Sequence, residues 1–249
     1  MQDIDGHCRE IARCNQRGGR MLSIADLLAA GTLGRDPAAY LAAAIGGGAS
    51  FMVGASPGGA GKTTVMGALL NLVPERVTLL PADTTATIER GLHAPDPRCC
   101  YICHEIGAGP YYAYLWGQAL QRFFELPSAG HMLATNLHAD TCAEAHAQVC
   151  GQNRVPESAF RAMNLMLFLA LRRGSGFTVE RRIATVWESD GTAAHRKIYD
   201  VADGTAAFGT SDLVDTERLA RERKRVDRLL ESDARTIEEV RAWLLDARH

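Results

Sequence analysis

Residues 51–64, FMVGASPGGAGKTT, constrain the fold more than any other part of this 249-residue chain. A short apolar run leads into a glycine-rich turn, and Lys62, Thr63 and Thr64 follow it before a helical pattern begins. A strand, loop and helix in this order suit phosphate, because glycines let backbone N–H groups close around the oxygens and the helix N-terminus adds its positive dipole end. The stretch predicts a nucleotide-binding loop, with Lys62 on the β- and γ-phosphates and Thr63 on Mg²⁺.

The predicted cofactor-binding residues are consecutive: Ser56, Pro57, Gly58, Gly59, Ala60, Gly61, Lys62, Thr63 and Thr64. The pattern G-x-x-x-x-G-K-[ST] has a glycine at its first position, and here that position is Ser56. Because glycine alone tolerates a positive φ freely, the sequence predicts a strained or reshaped loop at Ser56.

The composition, with 47% hydrophobic and 22% charged residues, is typical of a soluble globular protein. A net charge of −2 argues against bulk binding to nucleic acid or to anionic membranes. The polar start MQDIDGHCRE does not resemble a secretory signal, and no apolar stretch approaches the length of a membrane span. Seven cysteines in such a chain predict reduced thiols in a cytoplasm.

Apolar strand patterns alternate with helical patterns between residues 51 and 135. We predict strands at 51–55, 77–80, 99–103 and 131–135, with helices at 63–72 and from Gly109-Pro110 to about Leu126. This alternation indicates an α/β fold with a mainly parallel sheet, helices on both faces and ligands at the carboxyl ends of the strands.

Flanking segments extend this core. A capping box, Ser23 with Asp26, predicts a helix that Gly31 ends, and a second helix is predicted from Asp36-Pro37 to Ile45. After the core, the segments 164–171, 180–188 and 196–201 read as antiparallel strands. Two helices then close the chain, the last one capped by Thr236 and Glu239.

A nucleotide hydrolase also needs a carboxylate near the strand ends to order Mg²⁺ or the attacking water. Glu105 is the best placed, since it follows the apolar run CCYICH and precedes a glycine-rich turn. An ordinary loop glutamate would satisfy the same spacing, and His138 in NLHADT reads by itself as a solvated loop histidine.

Four passages together resemble the traffic ATPases of type II and type IV secretion, pilus and archaellum machines. They are the run into the phosphate loop (22–64), CYICHEIGAGP (100–110), SAGHMLATNLHADT (128–141), and the apolar strand with its arginine-rich hairpin (164–188). The tail, ERKRVDRLL followed by TIEEVRAWL, is similar to that of archaeal-type members. The resemblance covers about residues 22–245, and the order of the motifs is more specific than any single one.

The resemblance implies roles for individual residues. Lys62 is then a catalytic phosphate-binding residue, Glu105 the catalytic carboxylate that shares the Mg²⁺ with Thr63, and His138 the catalytic histidine near the γ-phosphate. Asp83 stands where the family has its aspartate box, but Ala82 replaces the glutamate before it. The implied cofactors are ATP and Mg²⁺.

The resemblance also implies an assembly: a P-loop ATPase (RecA-like) in a homohexameric ring, beside a polytopic membrane platform protein, in the cytoplasm and peripheral to its membrane. We predict an N-terminal segment at 1–22, an ATPase domain at 23–203 and a helical tail at 204–249. No nucleic-acid partner is expected.

The sequence departs from the family pattern at several positions, and these departures lower the rate of ATP hydrolysis that we expect. His104 and Gly107 replace a glycine before the carboxylate and a common arginine after it. Only about fifty residues precede the phosphate loop, where the family carries an N-terminal domain that supplies arginines to the nucleotide. The arginines at 9, 13, 17 and 20 are a possible remnant, although surface positions suit them better. Because arginines stabilise the phosphoryl-transfer transition state, slow hydrolysis is the expectation.

Two other functions stay open on the sequence. One is a nucleotide-binding regulatory or structural subunit with little turnover, which needs a partner for the missing domain. The other is a small-molecule kinase, which leaves the His138 passage unexplained. Only the second would consume ATP solely when an acceptor is added.

Residues 100–104, CYICH, match the haem-attachment pattern C-x-x-C-H. That chemistry needs an exposed, exported segment, whereas this one reads as a buried strand. A zinc site from Cys99, Cys100, Cys103 and His104 is also disfavoured, because neighbouring residues of a strand point to opposite faces. The cysteines are best explained as core residues.

Overall fold

The computed structural model describes residues 3–15, 18–56, 59–94, 98–173 and 179–246. The helices are α1 (Ile4–Arg13), α2 (Ile24–Ala29), α3 (Arg35–Gly46), α4 (Lys62–Leu70), α5 (Thr85–His93), α6 (Gln118–Glu125), α7 (Cys142–His146), α8 (Glu157–Arg161), α9 (Thr216–Glu231) and α10 (Ile237–Leu245). The strands are β1 (Phe51–Gly54), β2 (Thr78–Pro81), β3 (Cys99–Ile106), β4 (Tyr114–Leu115), β5 (Met132–Leu137), β6 (Leu165–Arg173), β7 (Val179–Glu188), β8 (Arg196–Asp200) and β9 (Thr205–Ala206). A π-helical segment, Ala147–Gln152, continues α7.

One mixed sheet organises the fold. Its strand order is β2-β3-β5-β1-β6-β7-β8-β9, with β4 paired to β3. Strands β2, β3, β5, β1 and β6 are parallel, and β6 to β9 are antiparallel to one another. The carboxyl ends of β3, β5 and β1 therefore meet at one edge, which is where a doubly wound sheet places its ligands.

Two hydrophobic cores lie on the two faces of this sheet. Helices α1 to α4, α9 and α10 supply one core, and α5 to α8 supply the other. The cysteines of β3 alternate between them: Cys100 belongs to the first core, and Cys99 and Cys103 belong to the second. The α/β prediction and the core assignment of these cysteines are confirmed, and burial raises the pKa of the Cys103 thiol to about 12.

The helix predicted from Gly109 to Leu126 is wrong in its first half. The N–H of His104 donates to the Ala113 carbonyl at 2.8 Å, and the N–H of Gly107 donates to Leu115 at 3.1 Å. These bonds lengthen β3 and draw the aromatic segment into β4, so that α6 begins only at Gln118. Ala113 adopts a φ of +53°, which a helix does not allow.

The strand predicted at 164–171 is also more central than expected. It forms β6, which pairs in parallel with β1 and antiparallel with β7, so it joins the parallel core to the hairpin. The capping boxes at Ser23–Asp26 and Thr236–Glu239 are confirmed, each with both reciprocal hydrogen bonds. Among the described residues, none of the helices has the length and apolar character that crossing a bilayer requires.

Candidate functional site

The phosphate loop joins β1 to α4. Gly59 has a φ of +86° and Gly61, the residue that precedes α4, has a φ of +99°. L-residues with a side chain rarely adopt these angles, so glycine is required at both positions. The amides of Thr63 and Thr64 lie in the first turn of α4, where an α-helix provides no backbone acceptor and where helix N-termini bind anions. The predicted residues Pro57 and Gly58 lie outside the described residues.

Ser56 does not adopt a positive φ, so the strain that the sequence predicts at this position is not found. The non-glycine residues with a positive φ in the described part of the chain are Ala113 and Arg154. The Ser56 N–H donates to Asp140 Oδ1 at 2.6 Å, and its carbonyl lies 3.0 Å from His138 Nδ1. The first loop position therefore contacts the segment after β5 through its backbone, and this contact needs no glycine.

Lys62, Glu105 and His138 converge at the carboxyl ends of β1, β3 and β5. Lys62 Nζ lies 3.7 Å from Glu105 Oε2 and 3.3 Å from the Ala55 carbonyl oxygen. The same ammonium lies 3.3 Å from His138 Nδ1 and 3.5 Å from His138 Nε2. Three residues that are far apart in sequence thus form one cluster, as the predicted roles require.

Glu105 is a buried carboxylate inside β3 rather than a loop residue after it. All eight residues of the strand are buried, and Glu105 is 7% exposed. Burial raises the pKa of the Glu105 carboxyl above its usual range, and its interactions with the Lys62 ammonium and with His138 offset part of that increase. Within the described chain, Glu105 Oε1 is buried without a hydrogen-bond partner. An acceptor in this state points to a donor, water or cation supplied from outside.

His138 follows β5 and has a half-exposed side chain. Nδ1 donates to the Ser56 carbonyl at 3.0 Å in the neutral ring, which leaves Nε2 as an acceptor. Nε2 lies 3.5 Å from Lys62 Nζ and 3.9 Å from Glu105 Oε1. The ring therefore turns one nitrogen to the loop backbone and the other to the buried charge pair.

A cavity of about 780 Å³ lies over this cluster. That volume is in the range of small-molecule pockets, which span roughly 300–1,000 Å³. The residues that line it come from the segment between α1 and α2, from α2, from the phosphate loop and from the strand ends: Cys14, Asn15, Gly18, Arg20, Met21, Leu22, Leu27, Ala30, Thr32, Gly59, Ala60, Gly61, Lys62, Thr63, Thr64, Val65, His104, Glu105, Tyr114, His138, Glu180 and Arg181.

Two residues to which the sequence assigns no role lie at the phosphate loop in the structure. Asp140 binds the Ser56 N–H, and its position two residues after His138 was the available signal. Arg181 of β7 lines the cavity, and a Cβ on Gly61 would lie 3.2 Å from its Cδ. The sequence contains an arginine-rich hairpin, but nothing in the sequence shows that β7 lies beside the phosphate loop.

Other residues singled out from the sequence lie elsewhere. Asp83 is exposed beside the start of α5, where it accepts a hydrogen bond from Thr87, and it does not line the cavity. Arg13 forms an ion pair with Glu10, and Arg17 lies outside the described residues. Arg20 lines the cavity but forms an ion pair with Asp26 at 2.8 Å.

The residues present fit a magnesium–triphosphate group. The loop supplies backbone N–H donors and the Lys62 ammonium for phosphate oxygens, and Thr63 supplies a hydroxyl at the start of α4. The unpartnered oxygen of Glu105 adds a carboxylate ligand for the metal or for a water bound to it. Oxygen donors of this kind are those that Mg²⁺ prefers.

No protein-family model and no curated protein matches the chain. Among solved structures, it is similar to the VirB11 ATPase of the Brucella suis type IV secretion system, with 21% identity over 66% of this chain and 54% of that one, at a TM-score of 0.45.

It is also similar to the ATPase DotB of Yersinia pseudotuberculosis, with 12% identity over 77% of this chain and 52% of that one, at a TM-score of 0.43. It is likewise similar to the ATPase DotB of Legionella pneumophila, with 12% identity over 72% of this chain and 53% of that one, at a TM-score of 0.40. The chain spans about half the length of these structures.

Proposed function

We propose that the chain hydrolyses ATP with Mg²⁺ and is a motor subunit of a type II/IV secretion or pilus assembly machine. The observation that carries the proposal is the convergence of Lys62, Glu105 and His138 within 3.3–3.9 Å at the strand ends beside the phosphate loop. A phosphate-binding cation, a buried carboxylate and a histidine in one cluster suit the cleavage of a phosphoanhydride better than binding alone.

Different residues of the chain bind the phosphates, hold the metal and orient the attacking water. The loop amides and the Lys62 ammonium bind phosphate oxygens, and the Thr63 hydroxyl holds the metal together with Glu105. When bound, Mg²⁺ neutralises charge on the β- and γ-phosphates. Glu105 orients the attacking water, and its raised pKa brings the carboxylate closer to the proton affinity that a general base needs.

His138 and Arg181 act at the edge of the cluster. His138 keeps Nδ1 on the Ser56 carbonyl, and its imidazolium form would donate from Nε2 to an oxygen of the terminal phosphate. Arg181 brings a permanent positive charge over Gly61 from within the same chain. A guanidinium at this position supplies part of the charge stabilisation that an arginine gives to phosphoryl transfer.

We also propose a domain organisation and an assembly for this motor. Residues 23–203 form the ATPase domain, with 1–22 as an N-terminal segment and 204–249 as a helical tail. The motor acts as a homo-oligomer, a hexameric ring, against a polytopic membrane platform protein at the cytoplasmic side of the membrane.

A second candidate is a nucleotide-binding subunit with little turnover. Lys62 already contacts Glu105 and His138, so a phosphate has to compete with these two groups for it. A partner that supplies further cations to the site would then be needed for hydrolysis.

The test is steady-state Mg²⁺-ATP turnover against protein concentration, with Lys62→Ala, Glu105→Gln and the exposed Lys224→Ala as a matched control. Turnover that rises steeply with concentration, survives in Lys224→Ala and disappears in the other two variants supports the motor. Nucleotide binding that is lost only in Lys62→Ala, without turnover in any protein, supports the second candidate. Wild-type protein that neither binds nor hydrolyses nucleotide overturns both.

A further inference from the structure

A second cluster of chemically reactive side chains lies on the opposite face of the sheet from α4. His146 ends α7, Cys150 lies in the π-helical segment that follows, and Glu157 begins α8. One ligand atom from each lies within 4.8 Å of the other two. Neither the phosphate site nor the proposed reaction uses these residues.

The local backbone explains why the three meet. His146 and Cys150 are four residues apart, so a helical backbone places them on one face, one turn apart. The π-helix ends at Gln152, and the chain turns back through Val155 and Pro156 so that α8 packs against it. This turn brings Glu157 Oε1 to 2.5 Å from His146 Nε2.

The His146 ring is also oriented by its surroundings. The rings of His146 and buried Phe160 pack edge to face, with centroids 5.4 Å apart and planes at 81°. His195 lies against the same phenylalanine at 5.1 Å and hydrogen-bonds to the Met163 carbonyl at 2.7 Å. A packed neighbour restricts the rotation of the imidazole, which is what a metal ligand needs.

We propose that His146, Cys150 and Glu157 bind a divalent cation of the zinc type. Imidazole nitrogen, thiolate sulfur and carboxylate oxygen are the donors of protein zinc sites, and three of them leave a fourth position for water. Zinc–ligand bonds of about 2.0–2.3 Å hold the donor atoms roughly 3.3–3.7 Å apart. The three atoms already lie within 4.8 Å of one another, and the 2.5 Å contact between His146 and Glu157 would lengthen as the cation enters between them.

A simple His–Glu ion pair is the competing explanation. It accounts for the contact between His146 and Glu157, but it gives no role to the half-buried sulfur beside them. Binding of the cation converts this pair into a three-point link between α7 and α8, and the thiol proton of Cys150 leaves to solvent. Because α7 starts at Cys142, just after the loop that carries His138 and Asp140, the link also fixes the far end of that segment.

The test is a titration of the full chain, freed of metal by a chelator, with Co²⁺ alone. Thiolate-to-cobalt charge transfer gives a near-ultraviolet band, and tetrahedral coordination gives strong visible bands. Cys150→Ser removes the proposed sulfur ligand. Cys142→Ser is the matched control, because this cysteine is also half-buried on α7 but lies outside the cluster.

We expect one Co²⁺ per chain, with a charge-transfer band that added Zn²⁺ abolishes. The band should persist in Cys142→Ser and disappear in Cys150→Ser, and His146→Gln should weaken Co²⁺ binding about tenfold or more. Circular dichroism and nucleotide binding check that each variant is folded. No saturable band in the wild type, or an equal band in Cys150→Ser, overturns the site whatever the outcome of the ATPase measurements.

Discussion

The ammonium of Lys62 lies 3.7 Å from Glu105 Oε2, and both side chains are buried beside the phosphate loop. Opposite charges at this distance in a partly desolvated site attract each other strongly, so each stabilises the ionised form of the other. The consequence for binding is competition, because a phosphate that takes up Lys62 has to weaken its contact with Glu105.

Glu105→Gln should therefore separate binding from chemistry. Removing the carboxylate releases Lys62 to phosphate, so we expect ATP to bind about two- to tenfold more tightly. Turnover should fall by roughly 10²–10⁴, the usual contribution of a general base. Titration with a fluorescent ATP analogue and steady-state phosphate release measure the two effects.

Glu180→Gln is the control for that variant, since Glu180 is an exposed carboxylate that lines the same cavity. It should leave turnover within about twofold of wild type, because surface charges contribute little. Weaker nucleotide binding in Glu105→Gln, or full turnover, would contradict the role given to the buried pair.

Arg181→Ala tests the charge that the hairpin brings to the loop. The guanidinium lies beside Gly61, so its loss should weaken ATP binding by about 1 kcal/mol, roughly fivefold, and reduce the dependence of binding on salt. Arg182→Ala is the matched control, because Arg182 lines a separate pocket with Tyr199 and Leu230. Equal effects of the two substitutions would show that Arg181 acts only through the general charge of the hairpin.

Local signals in the sequence were sufficient for much of this architecture. The glycine-rich turn before Lys62 predicted the junction of β1 and α4, and Ser23 with Asp26 predicted the start of α2. The alternation of Cys99, Cys100 and Cys103 predicted a strand buried on both faces. Each of these features depends on residues within one turn or one strand, where spacing alone specifies the geometry.

Features that depend on strand order were not accessible in this way. Glu105 was expected after its strand, but pairing with β4 extends β3 past it. The run Tyr111 to Trp116 has an apolar content that suits a helix, but Ala113 and Leu115 accept hydrogen bonds from β3 and from the residue that follows it, and Tyr114–Leu115 form the short strand β4. Arg181 reaches the phosphate loop because β7 follows β6, which is the neighbour of β1.

Gly54→Ala should destabilise the protein and disturb the site together. Gly54 ends β1, and a Cβ there would lie 2.6 Å from the Ala139 carbonyl oxygen and 2.6 Å from Phe168 Cδ1. The carbonyl belongs to the loop that carries His138 and cannot yield without moving it. We expect a loss of about 1–3 kcal/mol in the free energy of unfolding and weaker ATP binding.

Gly151→Ala provides the comparison for Gly54, since nothing lies within 4 Å of a Cβ at Gly151 and its φ is not positive. Chemical denaturation of the two variants should show a loss only for Gly54→Ala. A stability unchanged in Gly54→Ala would mean that the loop after β5 moves freely, against the close packing described here.

His7 should make the stability of the fold depend on pH. It is buried under α10, its Nε2 donates to the Leu70 carbonyl at 3.1 Å, and Nδ1 is buried without a partner in the described chain. Burial and the nearby charge of Arg241 lower the pKa of His7 from 6.5 to about 3. The folded protein therefore keeps this ring neutral at any pH near neutrality.

Because the folded pKa lies below the unfolded one, the unfolded chain takes up the proton first as the pH falls, and the free energy of unfolding decreases between pH 6.5 and about 3. The loss from His7 should reach about 2 kcal/mol at pH 5 relative to pH 8.

His7→Gln keeps a donor for Leu70 but cannot titrate, so its free energy of unfolding should vary less between pH 5 and 8. The exposed control His93→Gln should follow wild type. Burial lowers the pKa of His104 and His195 as well, so some slope should remain. Urea denaturation from pH 5 to 8 gives the free energy of unfolding of each protein at each pH. If this free energy changes with pH equally in wild type and His7→Gln, the folded protein takes up a proton at His7 as readily as the unfolded chain does, which contradicts the effect given to burial and to Arg241.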